Sequence, residues 1–60
     1  MAYYVGMQLV DAYGNVFTIT GIWTIQDKPR YTLSKDDGRS CVVDYADIRM
    51  LTVNQVAPTR

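Results

Sequence analysis

Tyr31-Thr32-Leu33-Ser34-Lys35-Asp36-Asp37-Gly38-Arg39-Ser40-Cys41-Val42-Val43-Asp44 is the stretch that decides how this chain folds. Two short runs with strand character flank an Asp-Gly signal, and glycine tolerates the positive φ angle that a tight hairpin turn demands. The stretch therefore predicts an antiparallel hairpin with Gly38 at positive φ. Beyond it the apolar residues recur with a period of two, and no window of about eleven residues carries a helical stripe, so the chain reads as all-β.

Upstream of the hairpin, the polar run 26–30 predicts a loop, because Pro29 has no N–H to give a ladder. The preceding run Val16–Ile25 predicts a long strand with Gly21 in its middle, where a glycine commonly marks a bulge or a bend. Before Gly21, Phe17 and Ile19 share a face. After it, either Ile22 and Thr24 or Trp23 and Ile25 turn inward, depending on whether a bulge shifts the alternation. Residues 12–15 predict a turn, since Gly14 and Asn15 accept left-handed backbone angles. A first strand over residues 7–11 precedes it, with its burial direction left open by the pattern.

Downstream, residues 45–48 are too few for a full α-helix and predict one helical turn, with Asp44 as its cap. A last strand follows over 49–53. Residues 54–60 lack periodicity, contain Pro58 and predict a flexible C-terminal tail behind a 1–53 domain. The inward faces together predict a core of Leu9, Ile19, Ile22, Leu33, Val42, Ile48 and Leu51.

A chain of 60 residues forms one domain, and a domain this small buries only about 60% of the surface its unfolded chain exposes. Such domains are usually reinforced by disulfides, a metal or self-association. One cysteine and no histidine exclude an intrachain disulfide and argue against a metal, which leaves a homo-oligomer as the expected reinforcement. The first residues lack the basic start and apolar run of a signal peptide, so the expectation is a mature protein beginning at Met1 in a reducing cytoplasm. No apolar run approaches the roughly 18 residues that span a membrane, and no membrane partner is expected. Six acidic and six basic residues give a formal charge of zero, where a nucleic-acid binder usually shows a basic excess.

No catalytic constellation emerges. The commonest general base is missing with histidine, and Cys41 in an apolar strand reads as a small hydrophobe. Asp36, Asp37, Asp44 and Asp47 lack the spacing of a calcium loop, and turn formation or capping accounts for three of them. Neither enzyme activity nor a cofactor is expected. The remaining function is surface occupation: a protein-interaction module contacting its partner through Tyr13, Trp23 and Tyr45, with Trp23 turned outward as the anchor. The alternative is nucleic-acid binding, with Lys28 and Arg30 beside Tyr31 forming a basic loop and stacking platform for a single strand.

Five strands, a bent second strand, a tight hairpin between the third and fourth and a helical turn before the fifth resemble the Src-homology-3-like small β-barrel over residues 5–53. Val5-Gly6, Val10-Asp11 and Gly14 are similar to the opening rhythm of Tudor-like and KOW-like modules; the Tudor resemblance implies an aromatic cage for methylated side chains, here Tyr13, Trp23 and Tyr45. The Ala-Leu-Tyr-Asp-Tyr motif and tryptophan pair of peptide-binding Src-homology-3 domains are not in the sequence. Val5-Gly6-Met7, Thr20-Gly21-Ile22-Trp23, Arg30-Tyr31-Thr32-Leu33 and Ala46-Asp47-Ile48-Arg49 are similar to the plasmid-borne dihydrofolate reductase family. That family binds folate and nicotinamide through a Val-Gln-Ile-Tyr segment, whereas Ser40-Cys41-Val42-Val43 stands here, so the resemblance implies a way of assembling and no reductase chemistry. In size the chain also resembles the compact regulatory proteins of phages and plasmids.

Overall fold

The computed structural model describes residues 2–53; the tail expected at 54–60 lies outside them. The described chain is all-β, running β1 (Gln8–Val10), β2 (Val16–Ile25), β3 (Lys28–Lys35), β4 (Ser40–Asp44), α1 (Tyr45–Ile48) and β5 (Thr52–Val53). Every pairing is antiparallel, in the order β4-β3-β2-β1-β5. The sheet is open: among the described residues no ladder joins β4 to β5. Closing a barrel requires paired edges. Here β5 has only two residues, which pair with β1, and β4 ends where Asp44 starts the helical turn. Among the described residues no helix is long and apolar enough to cross a membrane.

The Asp-Gly hairpin forms with a loop one residue longer than the tightest turn. Gly38 N–H donates to Lys35 O (3.0 Å) and Lys35 N–H to Arg39 O (2.8 Å), and Gly38 takes a φ of 89°. That is the three-residue loop in which glycine occupies the left-handed position. The β1–β2 connection repeats it. Gly14 N–H donates to Asp11 O (3.2 Å), Asp11 N–H to Asn15 O (3.1 Å), and Gly14 has a φ of 85°. The two-residue turn is instead Gln26-Asp27, with φ values of 52° and 63°. Two positive φ angles match the twist of a two-residue hairpin, so the loop expected over 26–30 shrinks to its first two residues and Lys28, Pro29 and Arg30 join β3.

The register of β2 on β3 slips between Ile19↔Leu33 and Gly21↔Thr32. Thr20 is thus the extra residue of a bulge, and its hydroxyl lies 3.4 Å from both Thr32 O and Ser34 Oγ. Period-two pairing then sorts the faces. Ile19, Leu33, Tyr31 and Ile22 point to the inner face; Gly21, Thr32, Val42, Trp23 and Arg30 point to the outer one.

Met7, Leu9, Ile19, Tyr31, Leu33 and Ile48 form the buried core, with Tyr3, Phe17, Val43, Leu51 and Val53 packed around it. Leu9, Ile19, Leu33 and Ile48 meet the expectation, and Leu51 is half-buried. Ile22 and Val42 do not. Ile22 faces inward, but β1 pairs only with Val16, Phe17 and Thr18 and stops short of it; Val42 stands on the outer face of an edge strand. The last strand is also shorter than 49–53. Arg49 N–H donates to Tyr45 O, Met50 N–H to Asp47 O and Leu51 N–H to Ile48 O, so these residues finish the helical turn. Asp44 caps that turn as expected, accepting Asp47 N–H at 2.8 Å.

Candidate interaction surface

The bulge sets the chemistry of the outer face. After it, Trp23 lies opposite Arg30, which lies opposite Asp44, while Gly21 lies opposite Thr32 and Thr32 opposite Val42. Side chains two apart on a strand share a face, so Trp23 follows Gly21 on this surface. A Cβ on Gly21 would stand 3.9 Å from Trp23 Cζ3 and 3.6 Å from Thr32 Oγ1. The edge of the indole therefore lies beside Gly21, at a distance that a side chain there would meet in ordinary van der Waals contact. Trp23 remains 38% exposed, with Ile25 at 49% and Val42 at 57%. Three apolar side chains thus share the solvent-facing side of the outer half of the sheet.

Tyr45 occupies a different setting. Its ring meets Tyr3 edge-on at 6.3 Å, and Tyr3 meets Tyr31 edge-on at 5.3 Å. The Arg49 guanidinium sits 5.7 Å from the Tyr45 ring centre, within cation–π range. Tyr45 also lines a polar cleft of about 230 Å³ with Lys28, Pro29, Arg30, Asp44 and Ala46. Arg30 Nη1 donates to Pro29 O at 3.2 Å.

Tyr13 stands apart from both. It is 90% exposed in the loop before β2, whereas Trp23 lies near the far end of that strand. Seven residues of β2 separate Val16 from Trp23, a contour of roughly 23 Å at ~3.3 Å per residue. The three rings therefore do not converge into a cage. The Tyr13 loop is nonetheless well braced. Asp11 Oδ1 accepts Tyr13 N–H (2.8 Å) and Asn15 N–H (2.9 Å), and Oδ2 accepts Asn15 Nδ2 (2.9 Å). The Asn15 side chain, with these backbone donors, holds the Asp11 carboxyl below its ordinary value of 3.8.

The basic set divides in the same way. Lys28 and Arg30 flank one cleft as residues of β3, but Tyr31 is only 5% exposed and faces the core. Burial pushes its phenol above the ordinary value of 10.0. A ring buried there cannot stack on a base, and the one lining the cleft is Tyr45. The acidic residue in that cleft, Asp44, opposes a phosphate backbone.

Sequence reasoning missed Tyr3, Arg49, Ile25 and Val42. Tyr3 and Arg49 carried no periodic signal. Val42 did: Ser40, Val42 and Asp44 share a face by period two, and two polar neighbours mark that face as outward. A second cleft, of about 210 Å³, is lined by Phe17, Leu33, Lys35, Arg39, Ser40 and Cys41. Cys41 is a free, exposed thiol there, and Lys35 Nζ lies 5.9 Å from the Phe17 ring centre. Of the four aspartates, Asp37 pairs with Arg39 at 3.3 Å and Asp44 caps α1. Among the described residues no three metal-ligating side chains gather into a site.

No protein-family model, no curated protein and no solved structure matches this chain.

Proposed function

We propose that this chain is a non-enzymatic protein-interaction module of the Src-homology-3-like small-barrel kind, and that its partner seats on the outer face around Trp23. The strand order, the long bulged β2 and the helical turn before β5 support the fold reading. The observation that carries the function is the indole lying beside Gly21 with Ile25 and Val42 exposed on the same face. Aromatic anchors of this kind dominate protein interfaces, where truncating one often costs 2 kcal/mol or more. Tyr13, at the other end of β2, is outside this surface, and Tyr45 borders it through Asp44.

The second reading, nucleic-acid binding, draws on the cleft where Lys28 and Arg30 meet the Tyr45 ring. One experiment separates the two. The immobilised chain, Trp23→Ala, Tyr13→Ala and the double variant Lys28→Glu/Arg30→Glu are exposed to cell lysate with and without nuclease. A protein retained after nuclease by the wild type and Tyr13→Ala, and lost from Trp23→Ala, supports the proposal. Binding that disappears with nuclease and with the charge-reversed variant overturns it in favour of the cleft. Far-UV circular dichroism of each variant establishes that the sheet is intact.

A further inference from the structure

Among the described residues no strand pairs with the outer edge of β4, and the hydrogen-bonding phase of that edge fits a second copy of itself. Lys35 N–H donates to Arg39 O, which makes that couple a hydrogen-bonded pair of the β3–β4 ladder. Antiparallel pairs alternate between bonded and non-bonded. Cys41 and Val43, opposite Leu33 and Tyr31, therefore turn their backbone groups to β3. Ser40, Val42 and Asp44 turn theirs to the open edge. Asp44 already commits its C=O, as the N-cap residue, to the first bond of α1, and keeps its N–H free for the edge.

We infer that two copies of this chain pair antiparallel through β4, about a two-fold axis at Val42. In that register Val42 exchanges both backbone bonds with Val42 of the second copy, and Asp44 N–H donates to the Ser40 C=O across the axis. Cys41 faces Val43, apolar against apolar. Charge selects this direction of pairing. Arg39, 81% exposed at its side chain, precedes the strand, and Asp44 ends it. An antiparallel pair sets each Arg39 beside the opposite copy's Asp44 end, whereas a parallel pair would set Arg39 against Arg39. The edge also lacks the usual protection, since residues 40–44 contain no lysine, proline or bulge. An edge this short belongs to the smallest interface class, under about 1,200 Å² in total, so the assembly forms at ~0.1–1 mM and dissociates on dilution.

Sedimentation equilibrium over that range, in reducing buffer so that Cys41 cannot crosslink, reads the association. Amide exchange by NMR reads its register. The wild type is expected to go from monomer to dimer, with Val42 and Asp44 amides gaining protection on concentration while Cys41 and Val43 stay protected throughout and the Ser40 amide, whose facing carbonyl is held by α1, does not. Val42→Lys places charge at the axis, and Val42→Pro removes an outward N–H at an edge-strand position, where the ring's fixed φ is tolerated. Both are expected to stay monomeric with an unchanged melting temperature in dilute solution. Trp23→Ala is expected to dimerise normally, which keeps this test independent of the partner surface proposed above. A wild type monomeric at ~1 mM overturns the inference. So does a dimer that survives both Val42 variants, or protection that appears elsewhere than on the Val42 and Asp44 amides.

Discussion

The β2–β3 ribbon is one hairpin with two fates. Val16-Phe17-Thr18-Ile19-Thr20 and Gly21-Ile22-Trp23-Thr24-Ile25 are similarly apolar, and both alternate. Ile19 in the first half is fully buried, while Ile22, Trp23 and Ile25 in the second are all exposed by more than a third. What differs is the company. β1 pairs only with the first half, and the Ile48 side chain from α1 closes over the same core. The second half has inward residues but little packed on them. Burial here is decided by neighbours that arrive from distant sequence, and not by the strand's own pattern.

Truncation measures the contrast most directly. Ile19→Ala should lose about 2–5 kcal/mol, enough to unfold a marginal domain, while Ile25→Ala should stay within ~0.5 kcal/mol. Urea denaturation followed by circular dichroism gives both values. Similar losses at the two sites would erase the distinction between the halves.

The turns extend the comparison. The buried half ends in two three-residue loops with glycine at the left-handed position; the exposed half ends in Gln26-Asp27, where two side-chain-bearing residues hold positive φ. Gly38→Val should therefore destabilise by more than ~1 kcal/mol, an effect visible as a lower thermal midpoint. Asp27→Gly should do the opposite and stabilise by ~0.5–1 kcal/mol, because it relieves a strained angle. If Asp27→Gly lowers the melting temperature, the two-residue turn is held by something other than its backbone geometry.

The smallest effect is electrostatic. Asp11 braces the loop at the buried end, and Asn15 holds its carboxyl below 3.8. A group whose pKa is lower folded than unfolded contributes stability above its unfolded value, and that contribution disappears as pH falls through the folded value. Melting temperatures taken from about pH 5 down to about pH 2 should fall less steeply for Asp11→Asn than for the wild type. Equal slopes would mean that the loop gains nothing from this carboxylate.

Much of the fold was legible because local rules governed it. The bounds of β2, the positive φ of Gly38, the turn at Tyr45–Ile48 and its Asp44 cap each follow from residues close in sequence. The extent of β3 was not legible. Pro29 argued for a loop, yet a two-residue turn at Gln26-Asp27 brings it opposite Thr24 near the ribbon's tip. Gly21 marked the bulge as expected: the register slips between Ile19 and Gly21, with Thr20 as the extra residue. Outward Trp23 followed from that shifted alternation. The separation of Tyr13 from Trp23 did not, because it depends on which end of a ten-residue strand each ring occupies. Tyr31 misled because an aromatic beside basic residues says nothing of the face it takes. Its face is set by register with Ile22 and Val43.

One pairing is unlike the rest. β1–β2, β2–β3 and β3–β4 each join consecutive strands, but β1 and β5 meet across most of the chain, with Leu9 opposite Val53. Closing so long a loop carries an entropic cost that neighbouring hairpins avoid. The three-stranded meander from Val16 to Asp44 should accordingly form on the way up the folding barrier, with the terminal strands docking on the way down. Conservative truncations at Leu33 and at Val53 should then divide between folding and unfolding rates in opposite proportions, the first slowing folding and the second mainly speeding unfolding. Stopped-flow chevrons read that division, and a Val53 variant that slows folding as much as the Leu33 one would reverse the order. A chain organised this way keeps its single tryptophan on the segment that assembles earliest, so Trp23 fluorescence would report the first structured species before the last strand is in place.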